Sequence, residues 1–428
     1  MTASMFDLHS LELPEGWELV RLGYVARLQN GLTVDAKRDI TGDVVTRPYL
    51  RVANVQAGSL DLGTVTEISV PRSVAHRCTL RPGDVLMTEG GDLDKLGRGT
   101  VWQGELEWCL HQNHVFAIRP DPQRLSGRYL AYLTQSLYGR CYFESTGTRT
   151  TNLASTNSSK IQSFPLPLPP VDEQRCIADY LDFATSRIDR MVRLERATLE
   201  KITERESAVL DLEIDALYQR AGSLPFRRFV TGVDQGSSPQ CDAVPANDGE
   251  WGVLKVSALR PGTFDPTANK RLPEDVVPDR RSEVQEGDLL ITRANTPQLV
   301  GSTAVVPRVR PKLMLSDKIF RVRVSKGLSP HYVAAVARGS RVRAACWAAS
   351  NGASQSMANL RFEEIKEWPI PPVSLDEQHA FVDRVSRSQE AVKALGEKVE
   401  HQLSLLAERR QSLITAAVTG QLDVTTAR

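Results

Sequence analysis

Long hydrophobic runs, paired cysteines and catalytic signatures are all missing from this 428-residue chain. No run of about 18 apolar residues occurs, which excludes a membrane-spanning helix. The opening MTASMFDLHSLELPEGW lacks the basic-then-apolar layout of a secretion signal. Six cysteines (Cys78, Cys109, Cys141, Cys176, Cys241 and Cys346) are scattered without a CxxC pair, the usage expected of a reduced, cytoplasmic protein. There is no P-loop, no HExxH, no GxSxG, and no GxGxxG after a strand-like run. Strong net charge is absent too, at +1. That average conceals unlike parts. Residues 222–368 hold 21 Lys/Arg against 15 Asp/Glu, and from Arg308 to Arg343 ten basic residues face one acid, Asp317. This reads as a local electropositive strip.

What the chain does have is a repeat. YLRVANVQAGSLD at 49–61 matches VLKVSALRPGTFD at 253–265, and RPGDVLMTEGGDLDKLGRGTV at 81–101 matches QEGDLLITRANTPQLVGSTAV at 285–305. HQNHVFAI at 111–118 aligns with LSDKIFRV at 315–322. One displacement of 204 residues, as from 49 to 253, serves all of these, so the chain is a tandem duplication. Each copy ends in a proline run, PLPLPPVDEQ or PIPPVSLDEQ, followed by about 45 residues without a breaker. Apolar residues recur there in steps of three and four, the seam of a coiled coil. In the first copy the expected seam is Ile177, Leu181, Ala184, Ile188, Met191, Leu199, Ile202, Val209 and Leu212. In the second it is Phe381, Val385, Val392, Leu395, Val399, Leu403, Leu406 and Leu413. Ser374 with Glu377 fits a capping box, Asp172-Glu173 suits a helix start, and Gly222 and Gly420 mark the ends.

The fold class expected is α+β. Short apolar runs such as GDVLMT, HVFAI, GDLLITR and KIFRVRV read as strands of a small twisted sheet or partial barrel. SGRYLAYLTQSLYGRCYF and SPHYVAAVARGSRVRAACW read as short helices opened by serine caps. The expected divisions are 1–170 and 222–372 for the two globular parts, and 171–221 and 373–428 for the two long helices.

Two kinds of loop carry the candidate chemistry. One is polar, STGTRTTNLASTNSS at 145–159 and SNGASQSMANL at 350–360, with side chains suited to base edges and phosphates. Such clusters alone describe any solvated loop; their recurrence at one place in both copies points to function. The other follows the central strand and diverges, EGGDLDKLGRG against RANTPQLVGS, as two modules reading different ligands, or neutral drift, would leave it. Arg293 and Asn295 have the geometry for bidentate contacts to guanine and adenine, although an arginine at a strand end is also a common surface ion-pair partner. Cys109, His111 and His114 have a metal-compatible spacing, but the second copy has Leu313, Leu315 and Lys318 there, so no metal site is expected. Glu364 and Lys366 resemble half of a nuclease pair, yet Lys160 replaces Glu364 in the first copy, and a helix face is the expectation.

The order of polar loop, proline run, long helix and then the whole unit again resembles the specificity subunit of type I restriction–modification systems over essentially the full chain. LPEGWELVRLG and the GDVLMT and GDLLITR strands fit the same family. The resemblance implies two target-recognition domains reading the halves of a bipartite site on double-stranded DNA. It implies long helices paired as an antiparallel coiled coil that sets the gap, giving a pseudo-two-fold object that docks two methyltransferase subunits, with nuclease–translocase subunits joining them. The chain itself would be non-catalytic and without cofactor, S-adenosylmethionine, ATP and Mg belonging to the partner subunits; PPVD and PPVS do not supply the family's NPPF/Y-type motif. The alternatives are a stand-alone DNA-modifying or cleaving enzyme and a protein-only coiled-coil scaffold. Mapped onto this sequence, the recognition role gives DNA contacts at Arg51, Asn54, Glu89, Lys95, Arg98, Thr148, Arg149, Thr151 and Asn152. In the second domain it gives Lys255, Ser257, Arg293, Asn295, Lys318, Ser354, Gln355 and Ser356. Gln355 matches the glutamine usual in the family's polar loop, whereas the first copy has Thr150-Thr151 in that region.

Overall fold

The computed structural model describes residues 12–33, 42–56, 58–91, 96–149, 154–350 and 357–424. The chain forms two compact units, Met1–Glu195 with Glu400–Arg428, and Arg196–Val399. Each unit therefore holds one globular head, the start of the long helix that follows it, and the end of the other long helix.

In the first unit the centre is a four-stranded antiparallel sheet in the order Ala26–Gln29, Val115–Pro120, Val85–Thr88, Gly99–Val101. Period-two alternation sends Val85, Met87, Phe116 and Ile118 into a core with Tyr129, Leu130 and Leu133. The intervening Leu86, Val115 and Ala117 enter a second core with Leu50, Trp102 and Cys109. Burial on both faces explains the unbroken apolar run of GDVLMT. A second sheet, Leu110–His111, Val44–Leu50 and Thr66–Pro71, packs against the helix Arg72–Cys78. The first core is completed by Ile177 and Leu181 from one long helix and by Ile414, Ala417 and Val418 from the other.

The second unit repeats this plan. Its sheet runs Val230–Gln235, Ile319–Val324, Leu289–Thr292, Thr303–Val305, and three of these strands lie 204 residues from their counterparts. Its core is completed by Leu210, Ile214 and Leu217 from one helix and Phe381 and Val385 from the other. Even a cap is repeated: the Leu137 N–H donates to Thr415 Oγ1 at 2.9 Å, and the Ser340 N–H donates to Asp211 Oδ1 at 2.7 Å.

The long helices span Val171–Ala221 and Leu375–Val418, about 75 and 65 Å. The Ser374–Glu377 box forms, with Glu377 Oε2 accepting the Ser374 N–H at 3.1 Å and Ser374 Oγ accepting the Glu377 N–H at 3.4 Å. Gly222 and Gly420 close the ends at φ of 66° and 76°. Within each unit the helix segments run antiparallel. Arg410 meets Asp189 at 3.4 Å in the first, while Arg384 meets Glu213 and Arg220 meets Glu377 in the second.

Two expectations need correction. Met191, Val209, Leu212 and Leu395 are exposed, and the buried residues near the last three are Leu210, Ile214 and Val399. Between 189 and 209 no residue of the first helix is fully buried, so hydrophobicity there does not select one face. The helical stretches after the sheets are each two helices, Gly127–Gln135 with Leu137–Thr146 and Pro330–Val336 with Ser340–Ser350. Ser136 caps the second of these through Gly139, but the Ser126 and Ser329 hydroxyls make no cap bond. Their backbone N–H groups instead donate to buried glutamines, Ser126 to Gln174 Oε1 and Ser329 to Gln378 Oε1, both at 2.8 Å.

Candidate nucleic-acid interface

The divergent loop and the polar loop of each head are stitched together by a short ladder. In the first head Gly90–Gly91 pairs with Ala154–Ser155, which pairs in turn with Thr148–Arg149. In the second, Ala294–Asn295 pairs with Ala358–Asn359. Immediately before each ladder the backbone makes the same bonds. The Glu89 N–H donates to the His114 carbonyl and the Glu89 carbonyl accepts from Thr156; the Arg293 N–H donates to the Lys318 carbonyl and its carbonyl accepts from Leu360. Gly97 and Gly301 fix the far ends of the divergent loops at φ of 70° and 72°. A Cβ at Gly97 would lie 2.3 Å from Phe143, and one at Gly301 would lie 2.6 Å from Cys346 Sγ, so only glycine lets these loops turn over the helices below.

Side chains with opposite character fill these matched frames. In the first head Glu89 Oε2 contacts His114 Nδ1 at 2.5 Å, and Thr148 Oγ1 receives the Lys160 ammonium at 2.9 Å. In the second head Arg293 is half-buried beside the Asp317 carbonyl, and Asn295 Oδ1 accepts the Thr296 N–H. Asp317 is a hub that sequence reasoning missed: its carbonyl also accepts from Gln235 and its carboxylate accepts from the Ser238 hydroxyl. Arg343 is a second such residue. From the helix beneath, it donates to the Gln298 and Val300 carbonyls at 2.7 Å each, bracing the divergent loop. Neither tie has a sequence signal, since both reach carbonyls far along the chain.

The other expected contacts separate. Arg51 is exposed on a turn whose Val52 N–H reaches Gln112 Oε1, two residues from His114, so it stands at the edge of the first cluster. Asn54 is only 2% exposed and is withdrawn. Its amide donates to the Asp61 and Thr64 carbonyls and its Oδ1 accepts the Arg51 N–H, so it is a buried joint that no base can reach. Arg98 is half-buried beside Gly97. Lys255 is half-buried and Ser257 exposed on the matching turn of the second head, and Lys318 is half-buried beside Arg293. Lys95, Thr151, Asn152, Ser354, Gln355 and Ser356 lie outside the described residues, as does the side chain of Arg149.

Four of the ten basic residues in the electropositive strip are paired with acids. Arg321 and Arg323 both engage Asp234, whose carboxyl they hold below its ordinary value, Arg323 through the strongest hydrogen bond. Arg338 pairs with Glu206 at 2.6 Å and Arg341 with Asp215 at 2.9 Å. Arg310, Lys312 and Arg343 donate to backbone carbonyls. The acids that pair with these four arginines, Asp234, Glu206 and Asp215, are remote in sequence and so escape a local count. Cys109 and His111 are structural. Burial pushes the Cys109 thiol up to about 12 and holds the His111 imidazole below its usual value, and His111 Nδ1 bonds the Val115 carbonyl region at 2.6 Å. Among the described residues no group of His, Cys, Asp and Glu could hold a metal ion, and no helix is long and apolar enough to cross a membrane.

Comparisons with known proteins agree with this geometry. Residues 14–204 match the type I restriction modification DNA specificity domain. The EcoKI specificity subunit of Escherichia coli K12 is 25% identical over 444 aligned positions, covering 96% of this chain and 90% of that protein. The EcoEI specificity subunit of Escherichia coli is 33% identical over 151 residues, covering 34% of this chain and 25% of that protein. Among solved structures, a chain from work on complex assembly and conformational transition of the type I R-M system superimposes with a TM-score of 0.69 at 17% identity, covering 96% of this chain and all of that one. The HsdS subunit from Thermoanaerobacter tengcongensis gives 0.51 at 17% identity over 96% and 99%. Residues 14–204 thus match the type I restriction–modification specificity domain, and in its duplicated heads and long helices the whole chain is similar to the specificity subunits of type I restriction–modification systems.

Proposed function

We propose that this chain reads a bipartite site on double-stranded DNA, one half with each head, and docks two methyltransferase subunits through which nuclease–translocase subunits join. The observation that carries this reading is the ladder joining a divergent loop to a polar loop in both heads. One framework, repeated, presents different side chains, which is how related modules distinguish different base sequences. The chain is non-catalytic, acts in the cytoplasm and needs no cofactor of its own; S-adenosylmethionine, ATP and Mg serve the partner subunits. Support for docking comes from apolar side chains left on the outer faces of the helices. Phe183 is 63% exposed and Leu194 59% in the first unit, and Leu212 is 70% exposed in the second.

The rods then act as a ruler, because half-site spacing follows from how far apart a protein holds its readers. Removing one heptad from both long helices is expected to change the tolerated gap, roughly 10 Å of rod, while both half-site sequences stay the same. Mapping of methylated adenines in cells carrying the shortened chain and its partners checks this; an unaltered gap refutes the ruler. Incubating the purified chain with DNA, Mg and S-adenosylmethionine separates the reading from a stand-alone enzyme, since neither cleavage nor methyl transfer is expected.

A further inference from the structure

Each unit carries a groove at the same place in its fold. In the first it has a volume of about 420 Å³ and lies between the Gly83-Asp84 turn, the strand end at Arg119 and the helix start at Val171 and Arg175. In the second it has about 590 Å³ and lies between Gly287-Asp288, Arg323, Leu375 and His379. Those residues correspond one to one at the repeat displacement of 204. Loops around the two grooves have diverged, yet the concavity and its sign of charge remain.

The charges on every wall can be followed. Asp84 is 1% exposed and bound bidentately by Arg119, so it presents no net charge to the groove. Arg81 stands exposed on the rim with no ion pair among the described residues. Arg175 opens the facing wall, its Asp172 partner being 89% exposed and on the helix outside the lining. In the second groove Asp288 is taken by Arg321, and Arg323 by Asp234. Lys326 is exposed without an ion pair among the described residues, and His379 faces it from the helix. Each groove thus offers one unpaired cation and a second basic group across a span walled by prolines, Pro82 and Pro122 in the first and Pro330 in the second.

DNA is the less suitable occupant. Gly83-Asp84 leads into the strand Val85–Thr88 and Glu89 leads out of it, so groove and recognition loop sit at opposite ends of a strand about 13 Å long. The same holds for Gly287-Asp288 and Arg293 around Leu289–Thr292. We infer that each groove receives an extended acidic segment of the methyltransferase subunit, one copy per unit, its carboxylates facing Arg81 and Arg175 or Lys326 and His379. This rests on the proposed docking of two such subunits and adds the contact that seats each one.

Native mass spectrometry and titration of the full chain with the methyltransferase subunit test it, using Arg81→Glu/Arg175→Glu for the first groove and Lys326→Glu/His379→Glu for the second. The wild-type chain is expected to bind two subunits, and each double variant to bind one of them at least tenfold more weakly at low salt. The milder Arg81→Gln and Lys326→Gln are expected to give smaller losses at the same site, with unchanged melting temperatures. If the wild type binds two and all variants bind both equally well, the groove assignment is overturned while the docking reading stands. If the wild type binds none, the docking reading itself fails and the assignment with it. A loss confined to DNA affinity, largest at low salt and shrinking as salt rises, would make the grooves phosphate contacts and also overturn the assignment.

Discussion

Glu89 and Arg293 occupy one backbone position in two copies of the same head, 204 residues apart, with matching hydrogen bonds and opposite charge. The Glu89 carboxylate accepts from the His114 imidazole beside it, whereas the Arg293 guanidinium donates to the Asp317 carbonyl. An acid at this place suits a cytosine amino group, and an arginine suits guanine. Arg293→Ala is therefore expected to relax selectivity in one half-site by about 1–3 kcal/mol, leaving the other half unchanged. Competition binding with single-base variants of each half-site measures this, and uniform weakening across all sequences would reassign Arg293 to a phosphate.

Gln174 and Gln378 make a second matched pair, this time identical in both chemistry and role. Gln174 donates to the Arg124 and Pro169 carbonyls and accepts the Ser126 N–H; Gln378 donates to Gly327 and Val373 and accepts Ser329. Each is buried, at 0% and 1% exposed, where helix, proline run and head meet. Replacing either by Ala strands one N–H and two carbonyls away from water, at a cost of about 2–4 kcal/mol. Denaturant titration is expected to show it. Gln174→Glu should be worse than Gln174→Ala, because it sets a carboxylate against two carbonyls.

Why some of this was legible in the sequence and some was not follows from the range of the forces involved. The repeat, the strands and the helix ends are local patterns: GDVLMT alternates into two cores, and Gly222 and Gly420 stop helices by backbone conformation alone. The ladders are two-residue strands built from Gly90–Gly91 and Ala294–Asn295, which carry no periodicity at all. Asn54 looked like a base reader because polarity was visible and burial was not. Arg338 counted toward the electropositive strip because Glu206, its partner, is 132 residues away. The DEQ segment was legible as a helix start, while the task of its glutamine became visible only with the Ser126 and Ser329 backbone in place.

Arg343 gives a prediction about positioning without DNA contact. Its two bonds hold the Gln298 and Val300 carbonyls over the helix Ser340–Ser350, and the first copy has Gly139 at the matching place. Arg343→Met keeps the aliphatic stem and removes both donors. It is expected to blur base preference in the second half-site by about 1–2 kcal/mol, with a small loss of stability. Binding to the first half-site should not move, and equal loss at both half-sites would show a global effect on folding instead.

The Asp234 cluster sets a pH dependence whose sign is fixed by its partners. The Arg323 hydrogen bond, aided by a weaker one from Arg321 and by the charges of both arginines, holds the Asp234 carboxyl below its ordinary value against the opposing effect of burial. A carboxyl lowered on folding contributes stability above its unfolded value of about 3.9 and loses it as pH falls through the folded value. Wild-type protein should therefore lose this contribution only as pH is taken below about 4. Asp234→Asn keeps the shape but removes the charge, leaving two arginines side by side. The variant is expected to melt lower than wild type at pH 6, with the gap closing as pH falls toward 3. Melting temperatures of both proteins across that range test it, and a gap that widens on acidification would place the stabilising charge elsewhere.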